Sequence, residues 1–174
     1  MNKDKKEKNQ NQQEERERLP QSVIQIRRTS KKTKGGNRIG FTALLVVGDG
    51  KGKVGLGLGK AKDVRTAIHK GVRLAKKRMV KVPIEGTTIP FPIEFKKKST
   101  KVMLKPAKEG TGLIAGGPVR DIANAAGIED LVAKIFGSGN RTNSAYATWE
   151  ALRKIKEIKD KHDFINKEAK KKKK

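Results

Sequence analysis

The chain has 174 residues, 34% of them apolar and 35% charged, with 43 Lys and Arg against 18 Asp and Glu and a formal net charge of +25. That balance argues against one large core and leaves room for two modest ones; it also calls for a polyanionic partner, nucleic acid first and an anionic membrane surface second. With no cysteine, disulfides, thiolate nucleophiles and thiolate metal sites are excluded, and His69 and His162 are too few and too far apart in the chain for a structural zinc site.

Residues 1–19 are polar and of low complexity, and are expected to form a disordered extension with no secretory signal. "SVIQIRRTS" alternates and predicts a strand, with Val23 or Ile24 and Ile26 facing inward. "KKTKGGNR", Lys31 to Arg38, then reads as a basic loop broken by two glycines. "IGFTALLVVGDG" predicts a second strand that ends in the hairpin signal Asp49-Gly50. In "KVGLGLG" the side chains of Val54, Leu56 and Leu58 point one way. Gly55, Gly57 and Gly59 leave the other face as bare backbone, open to a helix, a strand or a ligand. A helix is expected from about Asp63 to Met79, with Val64, Ala67, Ile68, Val72, Ala75 and Met79 on one stripe.

"VKVPIEGTTIPFPIEF" alternates on both sides of a Pro/Gly-rich junction, and "STKVMLKPA" is a further strand. "EGTGLIAGGPVRDIANAAG" predicts a glycine loop and a helix, with Pro118 in its first turn and Gly127 just past its end. "IEDLVAKIFGS" fits either a strand or a short helix. "NRTNSAYATWEALRKIKEI" is a helix with Ala145, Trp149, Leu152 and Ile155 on its buried side, and the lysine-rich end is expected to be a disordered tail. The expected architecture is α+β in two small domains. Residues 20–82 form a three-stranded sheet plus helix, residues 83–158 a second α+β domain, and residues 159–174 a basic tail.

Charge is not evenly spread. Residues 19–105 carry 22 basic and four acidic side chains, whereas residues 106–160 carry eight and seven. The first block reads as a surface for a polyanion and the second as a surface for protein.

The run Gly48–Lys60 holds six glycines and contains G-x-G-x-x-G at Gly50, Gly52 and Gly55. A dinucleotide fingerprint needs its glycines between a strand and a helix, and here the third falls inside a strand. The Walker pattern fails as well, because Gly59-Lys60 is followed by Ala61. The glycine loop Gly110–Gly117 lacks a following Lys-Ser/Thr and reads as a packing or interface turn rather than an anion site. Asp121, Glu129 and Asp130 stand near helix starts, where acids commonly partner the helix dipole. No nucleophile–base grouping emerges, no cofactor is expected, and the chain reads as a non-enzyme. The few aromatics favour binding to phosphate backbone and duplex shape over base stacking.

Two stretches carry a resemblance. "SKKTKGGNRIGFTALLVVGDGKGKVGLGLGKAKDV" and "EGTGLIAGGPVRDIANAAGIEDLVAKIFGSGNRTNSAYATWEAL" resemble the N- and C-terminal signatures of the universal family of small-subunit ribosomal protein five, bacterial type, over about residues 20–157. The resemblance implies a domain like a double-stranded-RNA-binding domain followed by a C-terminal βαβ-type domain. It implies a cytoplasmic ribosomal protein that binds small-subunit rRNA, touches ribosomal proteins four and eight and the mRNA near its entry, and affects assembly and decoding accuracy. No membrane contact is implied. With the basic cluster, it points to Arg27, Arg28, Thr29, Ser30, Lys31, Lys32, Lys34, Gly35, Gly36, Arg38, Lys51, Lys53, Lys60 and Lys62 for rRNA. It points to Gly112, Gly116, Gly117 and Arg120 for a protein interface. The family often has Asn-Pro where this chain has Asn140-Arg141. The competing reading is a free-standing double-stranded-RNA-binding regulator, which accounts for the first signature and not the second.

Overall fold

The computed structural model describes residues 19–172, with side-chain burial as far as Lys161. Residues 1–18 of the expected extension and the final two lysines of the tail lie outside that range.

The fold is α+β, built on two four-stranded sheets. The first has β1 (Gln21–Thr33), β2 (Gly36–Gly48), β3 (Lys53–Ala61) and the two-residue β4 (Val80–Lys81) in chain order, all antiparallel, with α1 (Val64–Lys77) between β3 and β4. The expected three strands thus gain a short fourth. The second sheet contains β5 (Ile93–Lys97), β6 (Thr100–Pro106), β7 (Leu113–Ile114) and β8 (Leu131–Gly137), in the order β5-β6-β8-β7. β7 and β8 are parallel and joined through α2 (Gly117–Ala126), a βαβ unit, and α3 (Arg141–Lys172) follows. The ambiguous "IEDLVAKIFGS" is a strand because Leu131–Gly137 pairs along the whole of β6.

β2 explains how the two halves join. Ala43 to Gly48 are buried without interruption, as expected of a strand covered on both faces. Leu45 and Val47 pack with Ala75, Ile68, Val72 and Leu19 on the α1 side. Leu44 and Val46 point the other way, into a core shared with Val102 and Leu104 of β6, Ile122 of α2 and Leu152 and Ile155 of α3.

The glycines of β3 set the approach of α1. A Cβ at Gly55, Gly57 or Gly59 would lie 2.2, 2.0 and 1.9 Å from the carbonyl oxygens of Ala75, Gly71 and Ala67. Those contacts are impossible for a side chain, so the helix rests directly on strand backbone. The bare face receives a helix, not a ligand.

The turn glycines hold the second half. Asp49 Oδ1 accepts the backbone N–H groups of Lys51 and Lys53, both at 2.8 Å, so the connection is a four-residue turn rather than the tight hairpin that Asp49-Gly50 suggested. Burial pushes the Asp49 carboxyl up, but these N–H donors outweigh it and leave the group below its ordinary value. Gly50 N and Gly52 N donate to the carbonyls of Ala125 and Ala126 at 3.2 and 2.8 Å. They satisfy the last carbonyls of α2, which have no partner within their own helix. α2 ends at Gly127 in the left-handed region, φ 80°. A Cβ there would sit 2.0 Å from the Gly50 carbonyl oxygen, and one at Gly48 would sit 1.8 Å from that of Ala125.

Two expectations fail at the ends of the chain's elements. Ile26 was expected inside and is 46% exposed; a bulge between Val23 and Gln25 turns Ile24 inward, and α1 covers β2 and β3 but leaves this edge strand bare. The tail from Lys159 continues α3 to Lys172, because Lys, Glu and Ala are ready helix formers and no Gly or Pro follows Gly139. Asn140 caps this helix where the family often has Asn-Pro: its Oδ1 accepts the Thr142 N–H at 3.0 Å.

Candidate RNA-binding and protein-interface surfaces

Lys31 to Arg38 is not an open loop. The β1–β2 ladder runs on through Lys31↔Arg38 and Lys32↔Asn37 to Thr33↔Gly36, leaving only Lys34-Gly35 as the turn. The Thr33 hydroxyl closes it with a 2.8 Å hydrogen bond to the Gly36 carbonyl, and Gly36 takes φ 118°, which few L side chains adopt. Since β3 reaches only as far as Phe41, the five rungs from Thr29↔Gly40 outward form a free two-stranded ribbon about 17 Å long. Every residue from Ile26 to Ile39 is exposed.

Register places the charges. Lys31 and Arg38 face each other on one rung, a like-charge pair that costs some tenths of a kcal/mol, about 0.2–1, until an anion lies between them. At the ribbon's root Arg27, Thr42 and Lys60 share one row across three strands, with Lys62 just beyond β3. Arg28 stands on the opposite face, beside Phe41. Arg27, Arg28, Thr29, Ser30, Lys31, Lys32, Lys34, Gly35, Gly36, Arg38, Lys60 and Lys62 therefore occupy one continuous projection.

Lys51 and Lys53 do not join it. They sit in the turn at the other end of β2, about 40 Å from the tip along the strand. The antiparallel fold sends them the opposite way from Lys60 and Lys62.

The second candidate surface surrounds β7. Gly112 has φ 73° and open space where a Cβ would be, so glycine is required here for backbone conformation rather than for a close approach within the chain. Its N–H donates to Asp130 Oδ1 at 2.7 Å. The Thr87 hydroxyl and the backbone N–H groups of Gly112, Gly110 and Thr111 hold the Asp130 carboxyl below its ordinary value against the cost of burial. Asp130 is thus the anchor of the loop, a role the sequence concealed because it read the acid as a helix-dipole partner. Gly116 precedes α2, with Ile135 3.1 Å from where its Cβ would be, and Gly117 is open. The Arg120 guanidinium is exposed and donates to the Leu113 carbonyl at 3.3 Å, which orients it along β7.

A cleft of about 370 Å³ lies between Ile24 and the starts of α2 and α3, with Asp121 and Arg141 in its wall. Burial raises the Asp121 carboxyl above its ordinary value, opposed by Arg141 and Arg120. Among the described residues no group of three or more His, Asp or Glu could hold a metal ion. His69 is exposed on α1. No helix among the described residues is long and apolar enough to cross a membrane.

Sequence reading missed one surface. The lysines of Ile93–Pro106 were pooled with the first domain's charge, yet they belong to the second sheet. The strict alternation of "IEFKK" and "TKVMLK" was the available signal.

A cationic ribbon on a glycine-packed sheet, joined to a βαβ unit, defines a two-part α+β protein with one strongly basic end. Residues 19–83 match the family described as ribosomal protein S5, N-terminal domain, and residues 95–163 match ribosomal protein S5, C-terminal domain. The chain is 50% identical over 134 residues to the small ribosomal subunit protein uS5 of Chloroflexus aurantiacus, covering 77% of this chain and 75% of the relative. It is 46% identical over 135 residues to the uS5 of Hahella chejuensis, covering 78% and 81%. The chain belongs to the ribosomal protein S5 family, whose members are structural and not enzymes.

Proposed function

We propose that this protein is a structural constituent of the small ribosomal subunit, grips small-subunit rRNA with the β1–β2 ribbon, and meets neighbouring ribosomal proteins around β7 and the start of α2. Relatives named as small-subunit proteins support the first statement. One observation carries the second: a free ribbon whose like charges oppose each other on a rung, an arrangement relieved by phosphate. The working units are residues 20–82 for RNA and residues 83–158 for protein contacts. Arg120, held along β7 and exposed, is suited to pair with a carboxylate across an interface. In this reading ribosomal proteins four and eight and the mRNA entry are neighbours, and the Gly112–Arg120 stretch bears on decoding accuracy.

The test is sedimentation of the tagged chain from a lysate, with RNA scored in each fraction. Co-migration with the small subunit through moderate salt supports the reading. Migration as a light species, or on other RNA, favours a free regulator. Arg120→Glu, incorporated into subunits, then changes miscoding or the retention of protein four; no change in either removes Arg120 from the interface.

A further inference from the structure

The two sheets differ in what covers them. In the second, Val102 and Leu104 of β6 and Leu131 and Ala133 of β8 point inward and are buried. Lys97 and Phe95 also take the α3 side, where the Lys97 ammonium pairs with Glu150 and lies 5.1 Å from the Tyr146 ring centre, and Lys154 lies 6.0 Å from that of Phe95. The alternate positions form an open face. Register aligns Lys96, Lys101 and Phe136 on one row, Glu94, Met103 and Lys134 on the next, and Lys105, Val132 and Ile114 on the third.

This face has four lysines and one carboxylate, Glu94, which pairs with Lys101 at 2.6 Å. Phe136 is 44% exposed and Ile114 55%, although β8 is an inner strand. Strands lie about 4.8 Å apart and same-face neighbours on one strand about 7 Å apart, so Lys101 and Lys134 both lie within reach of the Phe136 ring. Lysine is depleted at the centre of protein–protein interfaces, yet here it alternates with the apolar side chains across the face. Duplex RNA is read mostly through its shape and backbone, whereas an exposed ring among cations offers a platform on which an unpaired base stacks.

We propose that the open face of the second sheet binds an unpaired RNA segment, with a base stacked on Phe136 and phosphates held by Lys96, Lys101, Lys105 and Lys134. It is a second RNA surface, separate from the ribbon, and depends on the class of partner proposed above, not on the ribbon's own contacts.

The probe is a labelled oligo(U) of about twelve nucleotides, within the span such surfaces cover. The full chain is used with Lys31→Ala, Lys32→Ala and Lys34→Ala, which lowers the ribbon's share of binding. Adding Phe136→Leu, which keeps apolar bulk and removes the ring, weakens oligo(U) binding about tenfold and leaves affinity for a blunt RNA duplex unchanged. Lys101→Gln with Lys134→Gln lowers the log–log salt slope by about 1.4. Ultraviolet cross-linking of oligo(U) to the wild-type chain marks the Leu131–Gly137 strand. All these positions are exposed, and unchanged melting temperatures verify the fold of each variant. The proposal is overturned if Phe136→Leu leaves oligo(U) affinity within twofold, if duplex and oligo(U) weaken together, or if cross-links fall only on the ribbon. It is equally overturned if the sheet variants keep oligo(U) and instead release a protein from reconstituted subunits. The ribbon's duplex affinity is read separately, so failure here leaves that assignment standing.

Discussion

β2 contains two proteins' worth of environment in one strand. From Ala43 to Gly48 every residue is buried, pressed between α1 and the second half of the chain; from Gly36 to Ile39 every residue is exposed. The inner end shares its pairing with β3, while the outer end pairs only with β1 and projects past the rest of the sheet. Both ends are antiparallel ladder, so hydrogen bonding does not separate them. What separates them is what lies above and below. The inner end makes the fold and the outer end is left to contact something else. Substitutions at the two ends should therefore fail in different ways.

The largest effect belongs under α1. Gly57→Val places a branched side chain where even a Cβ would lie 2.0 Å from the Gly71 carbonyl. The helix must lift from the sheet, and the cost, about 4 kcal/mol or more, leaves little of a typical domain's stability. Circular dichroism and thermal melting should report an unfolded or molten chain. A native melt would show that the glycine face is not what sets the helix approach.

Gly127→Ala should do less, because it strikes one turn. The residue would have to hold φ 80° with a Cβ 2.0 Å from the Gly50 carbonyl, at a cost of about 2–4 kcal/mol. The damage should concentrate where α2 meets the Asp49–Gly52 turn. Hydrogen exchange at Gly50 and Gly52, whose N–H groups cap α2, should quicken more than exchange within the β1–β2 ladder. Uniform quickening would mean the two halves unfold as one.

The ribbon should behave in the opposite way. Replacing Lys31, Lys32 and Lys34 with Ala should leave stability within about 0.5 kcal/mol, since these exposed side chains touch no core. Binding to rRNA should weaken, and the slope of log affinity against log salt should flatten by about 2 to 3, from roughly 0.7–0.9 per lost phosphate contact. An unchanged slope, with or without weaker binding, would remove the lysines from the contact.

Much of this contrast was legible in the sequence. The bare face of "KVGLGLG", the stripe of α1, and Pro118 and Gly127 bracketing α2 are local patterns, and local geometry carried them into the structure. What was not legible depends on partners distant in the chain. Lys51 and Lys53 share the glycine run with Lys60 in sequence but lie at the opposite end of the sheet from it, because the strands reverse direction. Ile26 looked like core because alternation cannot tell a strand that α1 covers from the edge strand it leaves bare. The lysines of β5 and β6 were placed in the second domain but counted within one basic block of residues 19–105, so their separate surface went unseen; charge was summed along the chain, whereas surfaces are assembled across it.

The smallest effect tests the same contrast by pH. Asp130 is buried at the foot of the Gly110–Gly112 loop and, unlike the exposed cations of the ribbon, finds its hydrogen-bond partners within the fold. Its carboxyl is held below the ordinary value of 3.8, so the folded state favours the charged form. That stabilisation is complete above the unfolded value and is lost as pH falls through the lower folded value. Asp130→Asn keeps the shape and removes the charge. The variant should melt earlier than the parent at neutral pH, and the two curves should converge as pH falls through the ordinary carboxylate range, near 4, and on through the lower folded value. Equal melting temperatures at neutral pH would mean that the N–H donors of the loop hold an amide as well as a carboxylate, and that the anchor is a matter of shape. A gap that does not narrow at all on acidification would point to lost hydrogen bonds alone. Convergence would tie the loop to a charge, and with it the position of Gly112 next to Leu113, whose carbonyl accepts from Arg120.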